Sequence, residues 1–300
     1  MNQKPTIKQH FIPQAYLRGF SPQYEDSKAK KIANSKCMIY CYDLKNRQQS
    51  GLIPIKSICY EKNLYEVTND QGEIILQNYL EKVFGLLERM FSMYRTKLER
   101  KAFNEENYKI RCFLTREEKI FWTTFIVVQT LRSPQILREA AKALKDMVGE
   151  GLNDAQARNI SRLYCLPFFR EINENSPEAI FFNMLLEPMM NMSFAVCVDI
   201  ESRIITSDKT MYIYAPEFPT KEYEKIIFPI TADICLILLG GEEKKEYKRK
   251  NFLFPINDST RKMIVQAISD SAFERIYANH VLDTQEKNWV EEVQNNKVTQ

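Results

Sequence analysis

The stretch Phe121-Trp-Thr-Thr-Phe-Ile-Val-Val-Gln-Thr-Leu-Arg132, closed by Ser133-Pro134, constrains this chain more than any other. It predicts a helix that is apolar nearly all the way round, and such a helix has to be buried. Two long polar side chains lie inside it. At about 100° per residue, Gln129 falls between Phe125 and Trp122, and Arg132 between Phe121 and Phe125, so neither has an obvious solvent face. A lone buried guanidinium is costly unless carboxylates or a bound anion answer it. The fold therefore needs an internal polar centre that includes the partner of Arg132.

Helical and strand-like patterns divide the rest of the chain. Gly72 to about Arg100 predicts a helix whose apolar stripe runs through Leu80, Val83, Phe84, Leu87, Phe91, Tyr94 and Leu98. Thr115-Arg-Glu-Glu118 has the form of a capping box opening the buried helix, and Pro134 ends or kinks it. Gln135–Val148 predicts a more exposed helix, and Ser176-Pro177 starts another that runs to about Met190. Strands are expected at Met38–Tyr42 and Asn63–Val67, and Leu52–Ile58 is expected to be a partner strand or a loop. After Asn191 they dominate, at 193–200, 203–206, 211–214, 226–230 and 233–239. A charged loop spans Gly240–Lys250, and Asn257-Asp-Ser-Thr260 begins a last helix. The expected fold is α+β: a single domain over residues 1–285, helix-rich over 72–191, with a mostly antiparallel sheet over 193–240 in the C-terminal half. Residues 286–300 are expected to be a polar tail.

Composition removes several functions. With 42 basic and 39 acidic residues, the net charge of +3 gives no ground for a nucleic-acid or membrane partner by itself. Only eight glycines occur, and none forms a phosphate-binding loop of the common patterns. The seven cysteines are odd in number and lack a Cys-x-x-Cys pair. Cys197 and Cys235 sit in apolar runs, as small buried hydrophobes of a reducing compartment do. With two histidines in the chain, a structural zinc site is not expected. No apolar run reaches the ~18 residues of a membrane span, so a cytoplasmic protein with no membrane partner is expected.

The candidate chemistry lies in four places. In His10-Phe-Ile-Pro-Gln-Ala-Tyr-Leu-Arg-Gly-Phe20, the His10 imidazole could move protons and the Arg18 fork could take a phosphate or carboxylate. Taken alone, each is more simply bonded to a carbonyl or an acid. Glu81 and Glu88 lie seven residues apart on one side of their helix. Alone they are a solvated flank; beside an arginine that needs an acid they become ion-pair partners, metal ligands or a proton-sharing pair. Thr206-Ser-Asp208 follows a strand, a common position for a functional acid and equally for a local turn. Ser207, His10 and Asp208 do not make a nucleophilic triad, because adjacent Ser and Asp cannot easily flank one imidazole. The basic runs Lys28–Lys31 and Lys244–Lys250 are most simply solvated loops.

The order and spacing of His10-x-x-Pro13-x-x-Tyr16-Leu-Arg18-x-Phe20, Leu80-Glu81 with Glu88, Gln129-x-x-Arg132-x-Pro134 and Thr206-Ser-Asp208 resemble the prokaryotic family called domain of unknown function 4238, from His10 to roughly His280. The resemblance implies that His10, Arg18, Glu81, Glu88, Gln129, Arg132, Ser207 and Asp208 belong to one centre. It carries no named activity. This chain departs from it at Lys209-Thr210, where members often carry a proline two residues after the aspartate.

Two functions are carried forward. In the first, the chain is an enzyme, a phosphodiesterase or nuclease-like hydrolase, acting on a nucleic acid or nucleotide. His10, Glu81, Glu88 and Asp208 are then its catalytic side chains, and Arg18, Gln129, Arg132 and Ser207 its substrate contacts, with a divalent metal as candidate cofactor. In the second, it is a non-catalytic sensing or interaction protein, for example in a prokaryotic defence or toxin system, and the same cluster is a structural ion-pair core that leaves a protein partner to be found.

Overall fold

The computed structural model describes residues 6–104, 113–163, 177–215, 223–246 and 252–298. Cys112, Cys165, Ser176 and the Tyr247–Lys250 part of the charged loop lie outside them. The architecture is α+β, with a helical middle and mostly antiparallel sheets.

The buried helix forms at Arg116–Leu131, and its start is chemically fixed. The Thr115 hydroxyl accepts the Glu118 N–H at 3.2 Å, and the Glu118 carboxylate accepts the Thr115 N–H at 2.7 Å. Glu118 is in turn held by Lys97 and Lys101, at 3.1 and 2.9 Å. At the other end Pro134 is the first residue of the next helix, Pro134–Val148, so the chain turns at Arg132-Ser133. The long helix Tyr79–Ala102 buries Leu80, Val83, Phe84, Leu87, Phe91 and Leu98. Phe91 stacks on Phe125 at 4.6 Å and meets Trp122 edge-on at 5.9 Å. Phe228, from the main sheet, packs on Phe125 and Trp122, and Tyr16 of the short helix Gln14–Leu17 stacks on Phe228 at 5.7 Å. One aromatic seam therefore joins the N-terminal motif, both helices and the sheet.

The main sheet has five strands in the order Phe252–Pro255, Ser193–Val198, Ile234–Leu239, Lys225–Pro229 and Tyr212–Tyr214. Only its first pair is parallel. Ser193–Val198 and Ile234–Leu239 are buried at every residue, which is why they read as unbroken apolar runs. Gly240 follows the second of these. A Cβ there would come within 1.8 Å of the Tyr223 carbonyl oxygen, a backbone atom that cannot rotate away. Gly240→Ala is expected to lower stability by about 3 kcal/mol, as overpacking against fixed atoms does, measured by urea unfolding. A loss below about 1 kcal/mol would show that this turn relaxes.

A second sheet joins distant parts of the chain. Its order is Gln48–Pro54, Met38–Asp43, Arg275–Ala278 and Thr206–Ser207, all antiparallel. The sheet expected in the C-terminal half is thus accompanied by one that the N-terminal hairpin shares. Two smaller pairs, Lys8–His10 with Tyr60–Lys62 and Val67–Thr68 with Ile74–Leu76, complete the described strands.

Several expected boundaries move. The helix expected from Gly72 starts only at Tyr79, because Gly72 (φ 81°) and Asn78 (φ 54°) turn the chain around the strand Ile74–Leu76. Of the strand expected at Asn63–Val67, residues 63–66 form a turn, with Asn63 at φ 53°, and only Val67 lies in a strand, Val67–Thr68. Thr206–Ser207 is the strand where 203–206 was expected. Asp154–Leu163 is a helix without a sequence expectation, and Gly241–Glu246 is a helix within the stretch expected to be a charged loop. The polar stretch 286–300 is largely helical, within Thr284–Val298, and Trp289 and Val290 dock on the core.

Candidate functional site

Arg132 caps the C-terminus of the buried helix and is 1% exposed. Its guanidinium donates to the His10 carbonyl, to the Tyr65 hydroxyl at 3.4 Å and to a Glu88 carboxylate oxygen at 3.4 Å. Its face lies over the Phe84 ring at 4.2 Å and the Tyr65 ring at 5.6 Å. The Tyr65 hydroxyl donates back to the Arg132 carbonyl at 2.8 Å. Gln129, one turn earlier, donates to the Phe11 carbonyl at 2.7 Å. Arg132 and Gln129 therefore hold consecutive carbonyls, that of His10 at the end of the strand Lys8–His10 and that of Phe11 just after it.

Glu81 and Glu88 face this arginine from the long helix. Glu88 is the ion-pair partner, with its side chain 29% exposed. Burial pushes the Glu81 carboxyl up to about 7; Arg132 pulls it down, while Glu88 and Glu66 push it up. One Glu81 oxygen is buried without a hydrogen-bond partner. The Nε2 atom of His10 and the amide oxygen of Gln129 are in the same condition. Burial lowers the His10 imidazole below its ordinary range, opposed by a hydrogen bond with the Lys56 backbone. Buried polar atoms without partners are rare in native proteins, and these three lie on residues around one arginine.

His10, Glu81, Glu88, Gln129 and Arg132 are thus brought together; Arg18, Ser207 and Asp208 have other surroundings. The Asp208 carboxylate accepts the backbone N–H groups of Phe273, Glu274 and Arg275 at 2.8, 2.8 and 3.0 Å. It fixes the entry to the strand Arg275–Ala278. Ser207 is fully buried and its hydroxyl accepts the Lys209 N–H at 3.3 Å. Thr210 stands where the family pattern often has proline, and its φ of 66° is closed to proline, which holds φ near −65°. Arg18 lies half-buried in a separate cleft with Arg95.

Among the described residues no three His, Cys, Asp or Glu side chains are grouped to hold a metal ion. Burial disfavours the charged form at both Glu81 and His10. The sequence reading passed over Tyr65, Glu66 and Phe84. Tyr65 and Glu66 lie in the turn that was expected to be a strand, and Phe84 looked like ordinary core. Glu66 is 2% exposed and accepts from the Gln9 side chain at 2.6 Å and the Asn78 backbone at 3.1 Å. No local pattern marks these three.

No curated protein and no solved structure matches the chain. A family model described as "Protein of unknown function (DUF4238)" matches residues 8–281, and the chain belongs to that family.

Proposed function

We propose that this protein is an enzyme acting on a phosphate-containing substrate, a nucleotide or nucleic acid, by proton transfer at Glu81. The observation that carries the reading is the Glu81 carboxyl: pushed up to about 7, with one buried oxygen unpartnered, beside a buried arginine. A general base works best when its pKa lies near the working pH. Glu81 would take the proton, Glu88 would tune it through Arg132, and His10 would relay. Arg132 and Gln129 act here as positioning residues, since their donors already serve the chain's own carbonyls. The Asp208 carboxylate serves the turn at 273–275 in the same way. A cytoplasmic setting fits the five described cysteines, all buried and unpaired. No helix of the described residues is long and apolar enough to cross a membrane.

The test is a panel of phosphomonoesters, phosphodiesters and short oligonucleotides, assayed from pH 5 to 9. A base must be deprotonated to act, so kcat/KM is expected to rise through about pH 7 and level above it. Glu81→Gln is expected to lose the rising limb and roughly 100-fold in rate. Turnover that Glu81→Gln leaves intact would remove Glu81 from the mechanism.

A second reading, a non-catalytic interaction protein such as a defence-system component, has one observation in its favour. Leu86, Met90 and Met93 stand one turn apart on the outer side of the long helix and are 45%, 42% and 60% exposed. Absence of turnover on the whole panel, with a stoichiometric protein complex lost in Met93→Glu, would favour it.

A further inference from the structure

Two turns along the long helix from Glu88, the face that carries the acids turns basic. Ser92 and Arg95 line a cleft of about 580 Å³, whose other wall is the segment from Arg18 to Asn34. That volume suits a small ligand.

The cations of this cleft divide into those already answered and those that are not. Lys28 is paired with Glu25 at 2.9 Å and with Glu99 at 3.2 Å, and Lys31 with Asp26 at 3.3 Å. Glu99 also accepts the Tyr24 hydroxyl at 2.5 Å. Arg95 is 5% exposed; its Nη1 donates to the Ala15 carbonyl at 2.6 Å, and its guanidinium packs over the Tyr24 and Phe91 rings at 4.9 and 5.3 Å. Its Nε–H is buried with no partner. Arg18 and Lys30 make no side-chain hydrogen bond or ion pair with the described residues. Burial, and then the charge of Arg95, make it harder for Arg18 to stay protonated. Two guanidiniums held at one cleft, one nearly buried with an idle donor, form a combination that an anion completes and that water completes poorly.

We propose that this cleft is a binding site for the phosphate group of a small phosphorylated ligand, held by Arg18, Arg95 and Lys30. As the place for a substrate's phosphate it rests on the acid–base reading above, since Glu88 reaches both Arg132 and Arg18 electrostatically. As a binding site it stands without that reading, and its test reads binding alone.

The test is isothermal titration of the full chain with inorganic pyrophosphate, with adenosine monophosphate and with a short oligonucleotide, at low and moderate salt. One site per chain is expected, with Kd of about 1 mM or tighter. Arg18→Gln and Lys30→Gln are each expected to weaken it roughly ten-fold, about 1.4 kcal/mol, while melting like the wild type. Arg18 is half-buried and Lys30 exposed, whereas Arg95 is 5% exposed, so the first two report on the site where Arg95→Gln risks the fold. Lys262→Gln, whose lysine pairs with Glu292 at the far helix, should bind as the wild type does. No heat with either probe, undiminished affinity in Arg18→Gln, or equal weakening in Lys262→Gln overturns the proposal. Binding confined to a short oligonucleotide overturns it too, because the ligand would then be a polymer. Catalytic failure of Glu81→Gln with intact pyrophosphate binding leaves the site standing, so the two ideas fail separately.

Discussion

Arg132→Ala is expected to lower the free energy of unfolding by about 3–5 kcal/mol, the range for breaking a buried charged network. The reason is not chiefly the loss of Glu88. That carboxylate is 29% exposed and can turn to water, so a Glu88→Gln substitution should cost under about 1 kcal/mol. The greater loss is on the other side of the guanidinium. The His10 carbonyl loses its donor inside the protein, at about 1–3 kcal/mol for an unsatisfied buried acceptor. The Phe84 and Tyr65 rings lose the planar cation they pack on, and a cavity is left at a position 1% exposed. Arg132→Met restores most of the volume but none of the donors and is expected to lose about half as much. Urea unfolding of the three variants decides the matter. Glu88→Gln costing as much as Arg132→Ala would show that the ion pair, rather than the carbonyl and ring contacts, carries the energy.

Asp199→Ala is expected to be of similar size, about 3 kcal/mol or somewhat more. Asp199 directly follows the fully buried strand Ser193–Val198 and is itself 1% exposed. Arg261, on the helix Asp258–Ser271, donates to both of its oxygens, from Nε at 3.1 Å and Nη2 at 2.9 Å. The same carboxylate accepts the N–H groups of Glu201 at 3.0 Å and Arg203 at 3.3 Å. One side chain thus closes a backbone turn and clamps a helix to the main sheet. Removing it leaves Arg261 with Glu201 and Asp258, at 3.1 and 3.0 Å, which keeps the cost toward the lower end of the range. Asp199→Asn should retain the turn, lose the fork, and fall between the variant and the wild type. A wild-type melting temperature for Asp199→Ala would mean that the fork contributes nothing net, as happens when desolvation cancels attraction.

How much of this was legible depended on whether the cause was local. The capping box at Thr115–Glu118, the break before Pro134 and the Asn257 cap are written in consecutive residues, and the structure has all three where the sequence puts them. The fully buried strands announced themselves as apolar runs. The need for a polar centre at Arg132 followed from helical periodicity alone. What answers Arg132 did not follow: besides Glu88 it is a carbonyl and a phenol, from His10 and from Tyr65 in a turn. Main-chain carbonyls leave no mark in a sequence, since every residue has one. The failure at Gly72–Asn78 has a plain cause as well. The helical stripe is continuous from Leu80 onward, and only positive φ at Gly72 and Asn78, a property of geometry and not of pattern, reveals the small strand before it. Asp208 was recognised as special, yet its three amide partners lie 65 to 67 residues on, beyond any motif.

The strand Arg275–Ala278 lies inside the second sheet, between the N-terminal hairpin strand Met38–Asp43 and Thr206–Ser207. During synthesis the hairpin emerges early, yet its inner edge has nothing to pair with until more than two hundred residues later. Throughout that interval Met38–Asp43 offers open amide and carbonyl groups to any extended segment. Closure of this sheet is therefore a late, long-range event, slow by the loop it must close and exposed to mispairing until it happens. A chain cut before Arg275 would keep the whole polar centre around Arg132 in its sequence and still lack the strand that joins the two halves of the second sheet.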